Sequence, residues 1–376
     1  MNETFRLGKV RGIPIGVNWS VLLILGVLAW GLAVGYLPDA EPGYRTSEYW
    51  LVGVTAALVF LASLLAHELA HALVAIRSGV GVHGITLWLF GGVSKLDADA
   101  TTPADELRIA LAGPAVSLGT AVLAGAGALA ADVLDAPNLL VAALTWLATI
   151  NAVLGVFNLM PAAPLDGGRI LRALLWRRSG DHLSATVSAS NAGRVFGMVL
   201  IGLGLLQAAA GAAGAGLWMA FLGWFLLSAA RAEQSQALLF EALSDVPVRR
   251  IMSSPAITVS EDLTLRRLVD EEFVAHRCSS FPTVDADGTV TGLVTLSAVR
   301  KVPRDRWDHT TVRQIATPLD DVVRVGPDDP TPDLLTRLAP SRDGRALVFD
   351  GAELVGIVSP TDIVRMSDVA LMGSRR

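Results

Sequence analysis

His67-Glu68-Leu69-Ala70-His71 lies inside an apolar run from about Trp50 to Ile76, and that embedding restricts what the chain can become. A helix needs about 20 apolar residues to cross a bilayer, and this run is long enough. Residues four apart on a helix leave the same face, so both imidazoles point one way. Two such imidazoles can hold a zinc ion, and Glu68 beside them can take a proton from an activated water. The HExxH pattern also arises by chance in soluble helices. Ionisable groups within a span are costly, however, and are kept where they line a functional cavity. The run therefore reads as a transmembrane helix carrying a metal site.

The rest of the composition agrees with a membrane protein. Of 376 residues 52% are hydrophobic, and the mean hydropathy is +0.51. Charge is unevenly spread, with 15 acidic and 13 basic residues through position 243 and 20 and 17 after it. A typical soluble domain is roughly 25% charged; the first part falls well below that and the second reaches it. A membrane domain over residues 1–243 followed by a soluble module is expected. The net charge of −5 gives no basic field for nucleic acid. A single cysteine, Cys278, excludes an internal disulfide and suits a cytosolic soluble part. The first apolar run is too long, and lacks the cleavage site, for a cleaved signal peptide.

Spans are expected at Asn18–Leu37, Trp50–Ile76, Leu107–Ala131, Leu139–Leu159, Gly193–Ala213 and Gly216–Ala230, with Met1–Val17 a mixed leader. The loop at Pro38–Glu48 is acidic, whereas Arg77, Arg169, Arg172, Arg177, Arg178 and Arg231 follow the ends of other spans. The positive-inside rule then places both termini in the cytoplasm. Val80–Leu96 is too short to span, and its Gly91-Gly92 pair suggests a turn between two short strands, a re-entrant hairpin. Such backbone survives at membrane depth only when buried in protein or lining a cavity. After Val246 a strand–helix–strand–strand order occurs twice, with a period of about 60 residues, as in paired α/β modules.

A catalytic zinc site usually has three protein ligands and an open position. His83 sits at the start of the hairpin-like segment, His182 follows the arginine-rich stretch, and His276 and His309 belong to the soluble module. Asp166 is the better third ligand. His67 lies ten residues before Arg77 and Asp166 eleven before Arg177. At about 1.5 Å per helical residue both sit on the order of 15 Å inside the same boundary. A turn aspartate before Gly167-Gly168 is the competing reading.

The combination of His67–His71, Gly91-Gly92-Val93, Gly113-Pro114 and Asn158-Leu159-Met160-Pro161 running on to Leu165-Asp166-Gly167-Gly168 resembles the site-2 proteases, a family of intramembrane zinc metalloproteases. The resemblance covers roughly residues 6–235. It implies one Zn2+ per chain on His67, His71 and Asp166, Glu68 as the residue that activates water, and Asn158 as a group that polarises the scissile carbonyl. A strand edge at Gly91, Gly92 and Val93 would hold the unwound substrate extended by main-chain hydrogen bonds. Family members often carry histidine where Asn18 stands, and no inter-span region is long enough for the PDZ domain that some possess. The repeat resembles a CBS pair, with domains at 246–303 and 311–370. Thr361 and Asp362 in the second domain match residues that hold an adenine nucleotide's ribose; the first has Ala298 where the aspartate would stand.

The expected fold is a polytopic α-helical membrane protein of about six spans with a re-entrant β-hairpin, followed by a soluble α/β tandem CBS module. The expected activity is endopeptidase cleavage in or near the transmembrane segment of a membrane protein, such as a membrane-tethered anti-sigma factor, at the cell membrane. A homodimer through the CBS pair is a further expectation. Two alternatives stay open on the sequence: a CBS-gated transporter or channel with an internal metal site, and a non-catalytic membrane scaffold.

Overall fold

The computed structural model describes residues 4–88, 91–96, 100–244, 246–338, 341 and 343–373. The chain divides into two compact units, Met1–Ala237 and Leu238–Arg376.

In the first unit, strands β1 (Phe5–Val10) and β2 (Ile13–Val17) form a hairpin that precedes the helices. Six helices are long and apolar enough to cross a membrane: α1 (Ser20–Ala40), α2 (Thr46–Arg77), α3 (Pro103–Val133), α4 (Asn138–Asn158), α6 (His182–Ala209) and α7 (Ala213–Ala242). Between the last strand pair and these lie β3 (Val82–Trp88) and β4 (Gly91–Leu96), after α2, and the shorter α5 (Asp166–Ser179), after α4. Several helices outrun the apolar runs read from the sequence, and at the heads of α3 and α6 polar caps carry the extension. Thr102 Oγ1 accepts from Asp105 N at the head of α3, and Asp181 Oδ1 accepts from Ser184 N at the head of α6; such caps satisfy amides left over at a helix start.

Polarity is inverted relative to a soluble protein. Leu22, Leu23, Val122, Leu123, Leu206, Trp218 and Trp224 are exposed, whereas Ser63, His67, His71, Glu106, Ser117, Asn151, Arg172 and Ser190 are buried. A lipid solvent asks for that arrangement, since apolar side chains lose nothing there and polar ones need partners inside the bundle. Glycines let two of the helices approach closely: a Cβ on Gly197 would meet the backbone of Gly223, and one on Gly204 that of Gly216. A π turn at Gly31–Tyr36 precedes Pro38, whose ring cannot sit against an ordinary i−4 carbonyl.

The strands form one four-stranded sheet in the order β1-β2-β3-β4. β2 and β3 run parallel with Ile15 opposite Ile85, and β3 and β4 antiparallel with Leu87 opposite Gly92 and Thr86 opposite Val93. Ile13 and Ile85 pack with Ala72, Leu65, Leu69 and Leu73 of α2, so the sheet braces the helix that carries the HExxH motif. Three expectations are corrected here. Phe5–Val10 and Ile13–Val17 are two strands where the sequence reads as a mixed segment, because β2 finds its partner β3 far along the chain. Gly91 and Gly92 open β4, with Gly91 paired to Trp88, and do not form the turn; positions 89 and 90 lie outside the described residues. The segment from Asp166 onward is an added helix, and the fifth span begins at His182, ahead of the apolar stretch from Gly193.

In the second unit, β5 (Val259–Ser260) to β8 (Thr317–Pro318) make one sheet, with β6 (Ser280–Val284) and β7 (Val290–Thr295) between them. β9 (Val323–Val325), β10 (Ala346–Asp350) and β11 (Glu353–Val358) make another. Each contains a parallel pair and an antiparallel hairpin, which is the repeat read from the sequence. The segments leading into the two halves are exchanged. Val248 N donates to Asp329 O at 3.0 Å and Ser253 N to Ile357 O at 2.9 Å, while Val312 N donates to Leu263 O at 2.9 Å. Val248 and Ile251 are accordingly buried with Leu334, Val348 and Val358.

Candidate metal centre

His67 and His71 lie on the inward face of α2 at 3% and 7% exposure, as their four-residue spacing requires. Asp166, the first residue of α5, comes to the same point. His67 Nε2 and His71 Nε2 are 3.1 Å apart, and Asp166 Oδ2 is 3.2 Å from each. For a tetrahedral zinc ion with bonds of about 2.0–2.1 Å, adjacent ligand atoms stand about 3.3 Å apart. The three atoms therefore have the spacing of one face of such a tetrahedron.

Neighbours fix which atoms face the centre. His71 Nδ1 lies 2.7 Å from the Ile109 carbonyl and His67 Nδ1 2.9 Å from Ser117 Oγ. A carbonyl can only accept, so neutral His71 carries its proton on Nδ1 and turns the Nε2 lone pair inward. With His67 in the same tautomer, two nitrogen lone pairs and a carboxylate oxygen would face one another at the spacing that suits a cation held between them. The donor set thus fits zinc, with Ile109 and Ser117 orienting the rings from behind as outer-shell partners do.

Both orienting groups come from α3, and sequence reasoning missed both. Pro114 lies inside that helix and withdraws the amide that the Ala110 carbonyl would otherwise accept; Ile109 is adjacent to that opened turn. A Cβ on Gly113 would overlap the rings of His67 and His71, so glycine is needed where α3 passes beneath them. Gly167 and Gly168 serve the carboxylate in a similar way. A Cβ on the former would strike the backbone of Leu159 and Met160, and on the latter that of Ala163. They let the first turn of α5 lie directly on the Leu159–Ala163 segment.

The remaining candidates are scattered. Glu68 follows His67 on α2 and is partly buried. Asn158 ends α4, with its Nδ2 donating to the Leu154 carbonyl at 3.0 Å. Gly91, Gly92 and Val93 lie on β4, which pairs with β3 on one side and forms an edge of the sheet. His83 is exposed on β3 and lies outside the histidine–aspartate cluster. In the second unit Asp362 is 8% exposed and Thr361 is exposed. Asp362 Oδ1 accepts from Ser253 Oγ at 3.0 Å, and Oδ2 from Ser359 N at 2.9 Å. A hollow of about 360 Å3 beside it is lined by Arg250, Met252, Pro255 and Arg365.

Comparison with known proteins bears on both units. The model of peptidase family M50 matches residues 55–133 and 129–202, and that of the CBS domain matches 248–305 and 312–368. A protein of Mycobacterium tuberculosis provisionally named zinc metalloprotease Rip3 is 44% identical over 370 residues, spanning 98% of this chain and 94% of that one. A zinc metalloprotease of Methanocaldococcus jannaschii is 29% identical, spanning 98% of this chain and 97% of that one. The solved site-2 protease from the same archaeon is 30% identical, covers 61% of this chain and 94% of its own, and superposes with a TM-score of 0.43. The chain belongs to peptidase family M50, the site-2 proteases, and is a multi-pass membrane zinc metalloprotease that carries two CBS domains.

Proposed function

We propose that this protein cleaves peptide bonds in or near the transmembrane segment of other membrane proteins, with one zinc ion held by His67, His71 and Asp166. The convergence of three donor atoms, each 3.1–3.2 Å from the next, within a bundle of spanning helices is the observation that carries this reading. Zinc in that place supplies Lewis-acid activation of water near neutral pH. Glu68 takes the proton from the attacking water and returns it to the leaving amine. Asn158 turns its amide from Leu154 to the developing oxyanion. The edge of β4 that is unpaired among the described residues, at Gly91, Gly92 and Val93, holds the unwound substrate as an added strand, glycine being a residue that lets a second backbone approach. The proposed substrate is a membrane protein such as a membrane-tethered anti-sigma factor, as the resemblance to the site-2 proteases implies.

Arg77 in the last turn of α2 and the arginines along α5 support a topology with both termini and the CBS pair in the cytoplasm. The CBS pair tunes the protease and performs no chemistry. An adenine nucleotide would enter the hollow beside Asp362, its phosphates meeting Arg250 and Arg365 and its ribose replacing Ser253 at the carboxylate, with Thr361 alongside. A homodimer through the CBS pair is part of the same proposal.

Glu68→Gln tests the catalytic assignment. Membrane proteomes from cells carrying wild-type or variant protein should differ in uncleaved single-span proteins, while the purified variant keeps zinc. Equal processing by both proteins would refute the assignment.

A further inference from the structure

Outside the metal cluster the membrane unit buries a second group of charges. Glu106 on α3 is 1% exposed and Arg172 on α5 is 8% exposed. Arg172 Nε donates to Glu106 Oε1 at 2.6 Å, and its Nη2 donates to the same oxygen. Nη1 lies 3.5 Å from Glu233 Oε1 on α7, and Arg169 Nε lies 3.9 Å from Glu106 at a more exposed position. Glu106 Oε2 is buried with no hydrogen-bond partner among the described residues. The carboxylate is thus held almost wholly by one guanidinium.

These side chains sit on the two helices that complete the metal cluster. Glu106 is one turn before Ile109, whose carbonyl takes the Nδ1 proton of His71, and on the same helix as Ser117 behind His67. Arg172 is on the helix that Asp166 opens. One helix therefore orients the imidazoles, the other carries the carboxylate, and the buried pair is a directional contact between them. Apolar packing of small residues tolerates sliding, whereas two N–H groups of one rigid guanidinium converging on a single buried carboxylate oxygen fix its position. A slip of one residue along a helix moves a side chain by about 1.5 Å, against a tolerance of about 0.2 Å for a metal bond.

We infer that Glu106 and Arg172 are positioning residues that set the register of the Asp166-bearing helix against α3, so that zinc affinity depends on their geometry. The inference rests on His67, His71 and Asp166 being the ligands. Removing one partner of a buried pair destabilises a fold, whereas replacing both by apolar residues of similar volume is often neutral. The double variant Glu106→Leu/Arg172→Met therefore separates folding from positioning. Full-length protein in detergent would be melted in excess chelator, and its zinc affinity read by competition with a chromophoric chelator. The double variant should melt like wild type and bind zinc about 10- to 100-fold more weakly, the range for losing groups behind metal ligands. Arg172→Lys keeps the charge but not the fork, and should weaken zinc in the same direction. Wild-type affinity in the double variant, or in Arg172→Lys should the double variant not fold, overturns the inference. His67→Ala is measured alongside: zinc retained there overturns the ligand set itself, whereas zinc lost there with normal affinity in the pair variants removes only the positioning role.

Discussion

One methyl group at position 113 would decide whether the two imidazoles can converge on a metal. Gly113 has no donor atom, yet a Cβ there would overlap the rings of His67 and His71. Gly113→Ala should therefore lose zinc as completely as His71→Ala or Asp166→Ala, while the helices still form. Elemental analysis of purified protein checks this, and stoichiometric zinc in Gly113→Ala would mean the rings can turn away and still converge. Ser117→Ala is milder, because it removes only the partner of His67 Nδ1; zinc affinity should fall about tenfold by chelator competition. At this scale the sequence was informative where chemistry has a spacing. His67 and His71 stand four residues apart on a helix and Asp166 is picked out by its count of residues to Arg177, and these three side chains are brought together. Ser117 and the Ile109 carbonyl have no such signature, since a backbone acceptor looks the same at every position and a serine in a span is usually bonded to its own helix.

Among elements, the long helices were legible because each must present about 20 apolar residues to lipid, and only their polar-capped ends went unread. Short elements were harder. β1 reads Phe5-Arg6-Leu7-Gly8-Lys9-Val10 and has no clear alternation, and β2 finds its parallel partner β3 across two helices. The depth estimate for Asp166 already treats the residues up to Arg177 as helical, although the opening Gly167-Gly168 of α5 scores against a helix; the contact with Leu159–Ala163 demands those glycines. The edge position of β4 yields a prediction at this level. Gly92→Val adds bulk where an incoming strand would lie, so cleavage of a model membrane substrate should slow by about a hundredfold with zinc content and melting unchanged. Loss of zinc and thermal stability together would show instead that the glycines serve packing, and full activity would remove the strand edge from the mechanism.

At the scale of the whole molecule, the charge contrast across residue 243 foretold two kinds of solvent, and the chain divides near there into two compact units. Less legible was the exchange by which Val246–Ser253 joins the second half of the CBS module and Thr310–Val312 the first, because a repeat in sequence implies that each copy closes on itself. That exchange ties the module into one cooperative body, whereas the proposed metal ligands His67, His71 and Asp166 all fall in the other unit. Anything that binds only a native unit stabilises that unit, by an amount that grows with ligand concentration over the dissociation constant. Two transitions are therefore expected on heating the full-length protein in detergent, because independent units need not melt together. Stripping zinc with a chelator should lower the transition of the membrane unit by several degrees and leave that of the CBS module in place. Adenine nucleotide should do the reverse, raising the CBS transition alone, and Asp362→Ala should abolish that rise. Differential scanning calorimetry with intrinsic fluorescence distinguishes the two, since eight of the nine tryptophans precede residue 238 and Trp307 lies after it. A single transition that moves with both ligands would mean that metal and nucleotide act on one cooperative structure, and the protease and its CBS module could then not be treated as separable parts.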